Sequence, residues 1–434
     1  MTGKLEEFAK KNDIRYFLFN FTDLMGVQRS KLVPASAAPG MERSGAGFAG
    51  FASYLDLTPA HPDIFAVPDP DSLVQLPWQP DVAWVAGDLY LDDEPLEQAP
   101  RWVLQRQVDR AMEAGLRPKT GVEAEYHLIN ADGTDVSDPA DVSAKPCYDQ
   151  QAVMRRYHVI AEICDYMQQL GWEPYQNDHE DANGQFEMNW AFDDALVTAD
   201  RHAFFKFMVK SIAEKHGLRA TFMPKPFAAL TGNGMHVHLS LWDSAGRKNR
   251  MEDDNDELGL SSQAYQVIGG LIQHAEAMCA LTNPTVNSYK RINAAPTLSG
   301  STWAPNTATW AGNNRTHMVR VPDPGRIEYR QPDGACNPYL VQAAVIAAAL
   351  DGIENERKPG KRLDINMYAD GHKVRAKRLP LYLIDALRAL DRNKALRSAL
   401  GDDFCSAYIN LKTAEWNEYS RVLTDWEREH TLDC

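Results

Sequence analysis

The chain has few cysteines, and no two of them are close in the sequence. Its 434 residues contain six: Cys147, Cys164, Cys279, Cys336, Cys405 and Cys434. A structural zinc site or a small disulfide-linked domain would show closely spaced cysteines, so neither is expected. We therefore predict reduced thiols in a cytoplasmic protein.

Positive charge and long hydrophobic runs are also scarce. The net charge is −15, whereas a nucleic-acid-binding surface needs a clustered excess of lysine and arginine. The most apolar segment, residues 339–352, contains Gln342 and is shorter than the ~20 residues that span a bilayer. Charged side chains interrupt residues 1–20, which argues against a signal peptide. These observations predict a protein without nucleic-acid or membrane partners.

Two familiar phosphate-binding loops are missing as well. The sequence contains neither a GxxxxGK[ST] segment nor a kinase-type glycine-rich loop of the form GxGxxGxV. A nucleotide, if one is bound, must therefore be held by other groups.

The N-terminal part of the chain is rich in strand signals. Residues 14–21 and 27–33 are aromatic and β-branched segments on either side of a turn, so they predict a hairpin. A loop-like stretch over residues 45–78 precedes another strand candidate at 82–91. The acidic, proline-containing residues 92–100 then predict a linker.

Helical periodicity begins after this linker, and a chain of this length exceeds what one hydrophobic core usually supports. We therefore predict an α+β fold with a β-rich domain at 1–100 and a larger mixed domain at 101–434. The predicted helices lie at 102–115, 151–170, 199–216, 262–281 and 337–353.

Three strand candidates carry polar side chains two residues apart, a spacing that places both on one face of a strand. The pairs are Glu123 with Glu125, His236 with His238, and Glu328 with Arg330. A single pair of this kind is common on a strand with one solvated face. Two adjacent carboxylates repel each other unless a cation lies near them, so the joint occurrence of the pairs favours a cation site.

Two further acids, Glu180 and Glu187, enclose the short segment Gly184-Gln185. Together with the pairs, they form a ligand set that is rich in oxygen and poor in histidine. Such a set suits Mg²⁺, with Mn²⁺ as the alternative, better than zinc.

A basic set lies within residues 290–330, where arginine is suited to bidentate contact with phosphate or carboxylate. Each arginine alone is commonly part of a surface ion pair. Metal ligands and clustered arginines in one chain together indicate phosphoryl transfer. The set is Lys290, Arg291, Arg315, Arg320, Arg326 and Arg330.

The sequence also contains seven segments that resemble, in this order, the signature segments of glutamine synthetases. They are GVEAEYHL (121–128), HEDANGQFEMN (179–189), FMPKPF (222–227), GNGMHVHLSLW (232–242), NSYKRIN (287–293), NNRTHMVRVP (313–322) and RIEYRQPD (326–333). PDIFAVPDPD (62–71) and SLVQLPW (72–78) are similar to that family's N-terminal domain. The resemblance implies an N-terminal β-grasp domain and a catalytic domain with a curved antiparallel sheet, flanked by helices.

The resemblance also implies ligands for two divalent ions and for ATP. One ion would be held by Glu125, Glu180 and Glu187, and the second by Glu123, His236 and Glu328. ATP contacts match His238, Ser240, Arg315, Arg320 and Arg326. Contacts to glutamate and to the transferred phosphoryl group match Gly232, Arg291, Arg315 and Arg330.

The reaction that the resemblance implies has two steps. The γ-carboxylate of glutamate attacks the γ-phosphate of ATP, and an amine then attacks the resulting acyl phosphate. Arg315 and Arg330 are assigned to this catalysis, with Asp63 assisting deprotonation of the amine. Asp63 would come from a neighbouring subunit, because family members form homo-oligomers, here expected to be a dodecamer of two stacked rings.

The sequence departs from the family at two positions that handle ammonium. Glutamine-forming members carry a glutamate before an Ala-Pro pair, whereas Trp303 precedes Ala304-Pro305 here, in a stretch that is longer than usual. An acid of the N-terminal FDGSS motif corresponds to Ala49. The third acid is retained as Asp63.

Replacement of these acids by Trp303 and Ala49 predicts an apolar amine pocket. Burial of a methyl group contributes ~0.8 kcal/mol, and a cation over an indole ~0.5 to 2 kcal/mol. We therefore expect methylamine or ethylamine to be the nucleophile. The alternatives are ammonium, with another acid in place of Trp303, or a polyamine. A non-enzymatic family relative is disfavoured because the ligand set is complete.

Overall fold

Two β-sheets organise the computed structural model of the chain, which describes residues 3–297, 299 and 302–434. The first sheet contains β1 (Tyr16–Thr22), β2 (Gln28–Pro34), β3 (Ala46–Phe48), β4 (Ile64–Pro68), β5 (Val74–Gln75), β6 (Val82–Leu91) and β7 (Glu94–Pro95). Its order is β2-β1-β6-β4-β3, with β5 and β7 paired to β6. The predicted hairpin is confirmed as the antiparallel pair β1 and β2, and β6 has the predicted bounds.

The prediction of a loop over residues 45–78 was wrong in part. This stretch contains β3, β4 and β5, as well as short 3₁₀ turns at Gly50–Ala52 and Pro70–Ser72. Likewise, β7 pairs with β6 inside the predicted linker. The local glycine and proline content suggests loops, but β4, β5 and β7 pair with the long strand β6, and β3 pairs with β4. This pairing overrides the local preference.

The second sheet lies in the C-terminal part of the chain and is antiparallel except for one pair. Its strands are β8 (Leu116–Asn130), β9 (Pro174–His179), β10 (Gln185–Trp190), β11 (Asp193–Asp194), β12 (Leu218–Thr221), β13 (Met235–Asp243), β14 (Trp310–Ala311), β15 (Val319–Arg320) and β16 (Ile327–Tyr329). The order is β14-β15-β16-β13-β8-β10-β9, with β11 and β12 also paired to β8. The long strand β8 is therefore central.

Helices surround both sheets, which confirms the α+β class. They are α1 (Lys4–Asn12), α2 (Ala38–Ser44), α3 (Pro100–Glu113), α4 (Gln150–Arg155), α5 (Tyr157–Gln169), α6 (Ala195–Lys215), α7 (Ser262–Thr282), α8 (Val286–Ile292), α9 (Pro338–Glu354), α10 (Met367–Asp370), α11 (Leu383–Arg392), α12 (Lys394–Leu400), α13 (Asp402–Tyr419) and α14 (Asp425–Thr431). A 3₁₀ turn follows α10 at Gly371–Lys373. All five predicted helices are present, and residues 151–170 divide into α4 and α5.

The hydrophobic core is continuous between the two sheets. One buried cluster contains Phe21 and Trp84 of the first sheet together with Tyr126 of the second sheet and Phe204 of α6. A smaller cluster lies under α1 and contains Leu5. The division of the chain at residue 100 therefore stays a prediction. Among the described residues, no helix combines the length and hydropathy needed to cross a membrane.

A buried arginine joins the two parts of the fold. Arg101 of α3 is 5% exposed. Its guanidinium lies 2.6 Å from Asp69 Oδ2 and 2.7 Å from Asp88 Oδ1, both in the first sheet region. It also lies 2.9 Å from Asp200 Oδ2 on α6. One cation therefore compensates three carboxylates from separate segments.

Replacing Arg101 by methionine should lower the free energy of unfolding by about 3 to 5 kcal/mol, because three partly buried carboxylates lose their partner. Urea denaturation at a fixed protein concentration measures this effect. The control is Arg388→Met, since Arg388 is 63% exposed and pairs with the exposed Asp385; its effect should stay within about 0.5 kcal/mol. Equal effects of the two substitutions would contradict this account.

Candidate active site

Four adjacent strands bring the predicted polar pairs together at the centre of the second sheet. Glu123 of β8 is directly opposite His236 of β13. Glu125 of β8 is opposite Glu187 of β10, and His238 of β13 is opposite Glu328 of β16. A cavity of about 550 Å³ is lined by all of these side chains except that of Glu328, which is fully buried. The register of strand pairing in the sheet therefore brings these side chains together.

Three acids in this cavity lie close enough to share a cation. Glu125, Glu180 and Glu187, which are the residues predicted for the first ion, offer oxygen atoms within 4.8 Å of one another. Burial and the nearby Glu125 and Asp178 raise the pKa of Glu180 well above its usual range. Burial and the nearby Glu123, Glu180 and Glu125 do the same for the pKa of Glu187. Without a cation, these carboxylates repel one another.

Glu123 is compensated by both histidines. Its Oε2 atom lies 2.7 Å from His236 Nδ1, and its Oε1 atom lies 2.8 Å from His238 Nε2. Burial acts to raise the pKa of Glu123, but the hydrogen bonds from His236 and His238 hold it well below the usual range. The other ring nitrogens, His236 Nε2 and His238 Nδ1, are buried and have no hydrogen-bond partner in the described part of the chain.

The donor atoms fit a hard divalent cation. Glu123 groups within 4.8 Å with His236 and Glu187, and also with His238 and Glu328. The three residues predicted for the second ion therefore lie together, since His236 Nδ1 is 3.5 Å from Glu328 Oε1. His238, which was predicted to contact ATP, forms the group with Glu123 and Glu328. Carboxylate oxygens with one or two imidazoles suit Mg²⁺ or Mn²⁺.

Two arginines hold the fully buried Glu328. Arg320 Nη1 lies 2.7 Å from Glu328 Oε2, and Arg330 Nη1 donates to the other carboxylate oxygen. Burial opposes ionisation of Glu328, but Arg330 keeps its pKa below the usual value. Arg315 lines the same cavity and makes no hydrogen bond or ion pair with the rest of the described chain. It is therefore available to an anionic ligand.

Gly234 lies against Arg291, Glu125 and His236, and the absence of a side chain there leaves room for all three. A Cβ atom at Gly234 would lie 2.8 Å from Arg291 Nη2, 2.9 Å from Glu125 Oε1 and 3.0 Å from His236 Nε2. Any side chain would therefore disturb all three groups. Arg291 is 2% exposed, and its Nε atom has no partner among the described residues. Gly232, whose carbonyl accepts from Gln185 Nε2 at 3.2 Å, is in the same loop.

A second cavity of about 510 Å³ adjoins the first and shares Glu123, His238 and Arg326 with it. Ser240 and the aromatic rings of Phe192 and Trp242 line the second cavity alone. The two rings are nearly parallel, with an interplanar angle of 22°. The predicted ATP contacts are thus divided: Ser240 lies in the second cavity, Arg315 and Arg320 in the first, and His238 and Arg326 at the junction.

The residues predicted for the amine pocket do not all come together in one chain. Trp303 lines the first cavity. Ala49 and Asp63 are exposed beside β3 and β4 and line neither cavity. Their contribution to the site of a neighbouring subunit therefore stays a prediction.

Sequence reasoning missed two acids that line the first cavity, Asp178 and Asp181. Burial, with Glu125 and Glu123 nearby, raises the pKa of Asp178 to about 6. Both residues flank the predicted ligand Glu180. Their position within the segment around Glu180 was the available signal.

Comparison with known proteins identifies the family. Residues 97–431 match the glutamine synthetase catalytic domain, and the chain belongs to the glutamine synthetase family. Members of this family are ATP-dependent glutamate–amine ligases that use divalent metals and act on small molecules.

Individual relatives carry different names. A protein from Rhizobium leguminosarum bv. phaseoli named glutamine synthetase is 64% identical over 100% of both chains. A protein from Methyloversatilis universalis named glutamate–methylamine ligase is 42% identical over 99% of both chains. A solved complex of GmaS with ADP is 61% identical over 100% of both chains, with a TM-score of 0.97.

The acid cluster predicts how a metal ion affects stability. At a pH high enough to ionise Glu187, Glu187→Gln removes a charge directly opposite Glu125, so the metal-free variant should gain roughly 1 kcal/mol of stability over the wild type. The rise in melting temperature on adding Mn²⁺ should be smaller in the variant, because one ligand is lost. Thermal unfolding with and without Mn²⁺ after chelation measures both effects.

The pH dependence follows from the raised pKa values of Glu180 and Glu187. Each group binds its proton more tightly in the folded than in the unfolded state, so the metal-free wild type should lose stability as the pH rises above the ordinary glutamate value. Glu7→Gln on the exposed face of α1 is the control and should show the same dependence of stability on pH as the wild type.

For the metal prediction, an unchanged rise in melting temperature on adding Mn²⁺ in Glu187→Gln would contradict the assignment of this ligand.

Proposed function

We propose that this chain joins the γ-carboxylate of L-glutamate to methylamine or ethylamine, with ATP converted to ADP and phosphate. The observation that carries the choice of amine is Trp303, which lines the cavity of the metal-binding acids where an ammonium-handling acid is expected. The relative named glutamate–methylamine ligase supports the proposal.

The proposed metal sites follow the donor sets. Glu125, Glu180 and Glu187 would hold one Mg²⁺ ion, and Glu123, His236 and Glu328 would hold another. Bound there, the ions would offset the negative charge of the ATP phosphates and of the transferred phosphoryl group.

The proposed position of ATP follows from the two joined cavities. Phe192 and Trp242 offer a flat apolar surface to the nucleobase, and Ser240 offers a polar contact beside it. His238 and Arg326 lie at the junction with the first cavity. The phosphates would then extend toward Arg315 and Arg320, which supply charge where it develops during transfer.

Glutamate would lie between Arg291, Arg330 and Gly232, with its γ-carboxylate facing the nucleotide. A γ-carboxylate oxygen attacks the γ-phosphorus, the bond to the β,γ-bridging oxygen breaks, and ADP leaves. Arg315 and Arg330 would stabilise the transferred group. The amine nitrogen then attacks the acyl carbon, phosphate leaves with the bonding electrons, and the nitrogen gives up its proton.

Deprotonation of the amine needs an acceptor, because an alkylammonium is mostly protonated near neutral pH. We assign this role to Asp63 from a neighbouring subunit of a closed ring, expected to be a dodecamer. Asp63 is exposed and does not line the cavity of its own chain, which supports that assignment.

Glutamine synthesis from ammonium is the second candidate. The 64% identical Rhizobium relative carries that name. In addition, Trp303 Nε1 donates to Asp181 Oδ2 at 2.7 Å, so an acid does lie beside the proposed amine pocket. The measured preference between amines separates the two candidates.

ADP release with glutamate and ATP should show a higher kcat/KM for methylamine or ethylamine than for ammonium. Trp303→Ala should weaken alkylamine use by roughly 1 to 3 kcal/mol of transition-state stabilisation, through loss of apolar and cation–π contact. The KM values for ATP and glutamate should change much less.

The matched control is Trp426→Ala, since Trp426 is an exposed indole on the C-terminal helix. It should leave all amine ratios unchanged. If ammonium is the better substrate of the wild type, or if Trp303→Ala lowers both rates equally, the alkylamine assignment is wrong.

A site shared between subunits predicts complementation. Asp63→Asn and Glu187→Gln should each abolish most activity. Co-expressed in equal amounts, they should recover about one quarter of the sites, because random mixing places an intact Asp63 beside an intact Glu187 in that fraction. Light scattering should show a closed oligomer. Activity of the mixture no higher than that of either variant alone, or a fully active monomer, would contradict the shared site.

A further inference from the structure

Asp181 connects a metal-binding acid to the segment that contains Trp303. It follows Glu180 directly, and its backbone N–H donates to Glu180 Oε2 at 3.0 Å. Its side chain lines the same cavity as Glu125, Glu187 and Trp303. The residue therefore lies between the proposed metal site and the proposed amine pocket.

One oxygen of Asp181 collects hydrogen bonds from separate parts of the chain. Asp181 Oδ2 accepts from Trp303 Nε1 at 2.7 Å and from Thr231 Oγ1 at 2.9 Å. It also accepts from Ser299 Oγ. A carboxylate oxygen can accept several donors at once, and such charge-assisted bonds are the stronger ones. The carboxylate thus fixes where the indole lies relative to the cavity.

The backbone of Trp303 does not favour the observed position by itself. Its φ angle is +50°, in the left-handed region that bulky residues rarely adopt, at a cost of order 1–3 kcal/mol. The indole is held by the bond to Asp181 and by an edge contact with Tyr368, with ring centroids 6.3 Å apart. Side-chain contacts therefore have to offset the strain.

We infer that Asp181 is a positioning residue, which fixes the indole of Trp303 at the edge of the metal cavity and thereby sets which amine the site accepts. The inference rests on the proposed function for the meaning of the amine pocket. Asp181 acts through Trp303 and is not itself the group that meets the amine. Loss of the carboxylate releases the indole, and the apolar surface offered to an alkyl group is lost with it.

The test compares substitutions on both sides of the hydrogen bond. Asp181→Ala removes the acceptor, Trp303→Phe removes the N–H donor but keeps an aromatic ring, and the double variant removes both. Asp181→Asn keeps an oxygen acceptor. Thr231→Val removes another donor to the same oxygen and is the matched control. Asp181→Leu, which fills the space without an acceptor, replaces the alanine variant if that one fails to fold.

Three quantities are measured. The first is the ratio of kcat/KM for methylamine to kcat/KM for ammonium. The second is the ¹⁹F NMR signal of 5-fluorotryptophan at position 303, identified by its absence in Trp303→Phe. The third is Mn²⁺ affinity, which would change if Asp181 acted only through its neighbour Glu180.

Asp181→Ala should lower the amine ratio about tenfold, the scale of one lost hydrogen bond to a charged group, and should shift the ¹⁹F signal. Trp303→Phe should lower the ratio similarly, and the double variant should add little, because both changes break the same bond. Asp181→Asn and Thr231→Val should stay within about threefold of the wild type. Mn²⁺ affinity should hold in every variant.

Three results would overturn the inference. An unchanged ratio and ¹⁹F signal in Asp181→Ala would show that the indole does not depend on the carboxylate. Independent, multiplying losses in the double variant, with Asp181→Asn as impaired as Asp181→Ala, would show that Asp181 meets the amine directly. An equal loss of kcat/KM with both amines in Asp181→Ala, together with weaker Mn²⁺ binding, would show that Asp181 acts on the metal site instead. If the wild type prefers ammonium, the proposed function is refuted but the positioning role is not. A similar change in the amine ratio in Asp181→Ala and Trp303→Phe would still support positioning.

Discussion

Repulsion between carboxylates is the constraint on which the rest of the site depends. Glu125 and Glu187 are paired directly across two strands, a geometry that is unfavourable for like charges. Antiparallel pairing around β8 fixes their separation, so they cannot move apart without breaking the sheet. The fold thus keeps negative charge in a half-enclosed cavity, where only a cation or bound protons can offset it.

The compensation of this charge is uneven. Glu123 is bound by two histidines, and Glu328 lies between Arg320 and Arg330. The group of Glu125, Glu180 and Glu187 has no basic side chain among its hydrogen-bond partners in the described chain. The negative charges of Glu123 and Glu328 are therefore compensated by basic side chains, and Glu123 also lines the second cavity. The charges of Glu125, Glu180 and Glu187 depend on a bound cation. This arrangement suits a reaction in which a negatively charged phosphoryl group passes from a nucleotide to a carboxylate.

The sequence predicts what depends on short-range pattern. The spacing of two residues in Glu123 and Glu125 and in His236 and His238 predicts that each pair lies on one sheet face, and all four side chains line one cavity in the structure. It could not reveal the strands within residues 45–78, since β4 and β5 form by pairing with β6, and β3 by pairing with β4. Nor could it join Trp303 to Asp181, which is 122 positions away. Contacts that span the fold leave no periodic signal.

The most direct test of the proposed ligase activity is a competition in one vessel. Purified protein receives glutamate, limiting ATP, Mg²⁺ and equal concentrations of ammonium and methylamine, and mass spectrometry counts both amides against ADP. The account predicts one amide for each ADP, with γ-glutamylmethylamide in excess over glutamine. Glutamine in excess, or ADP formed without either amide, would contradict it.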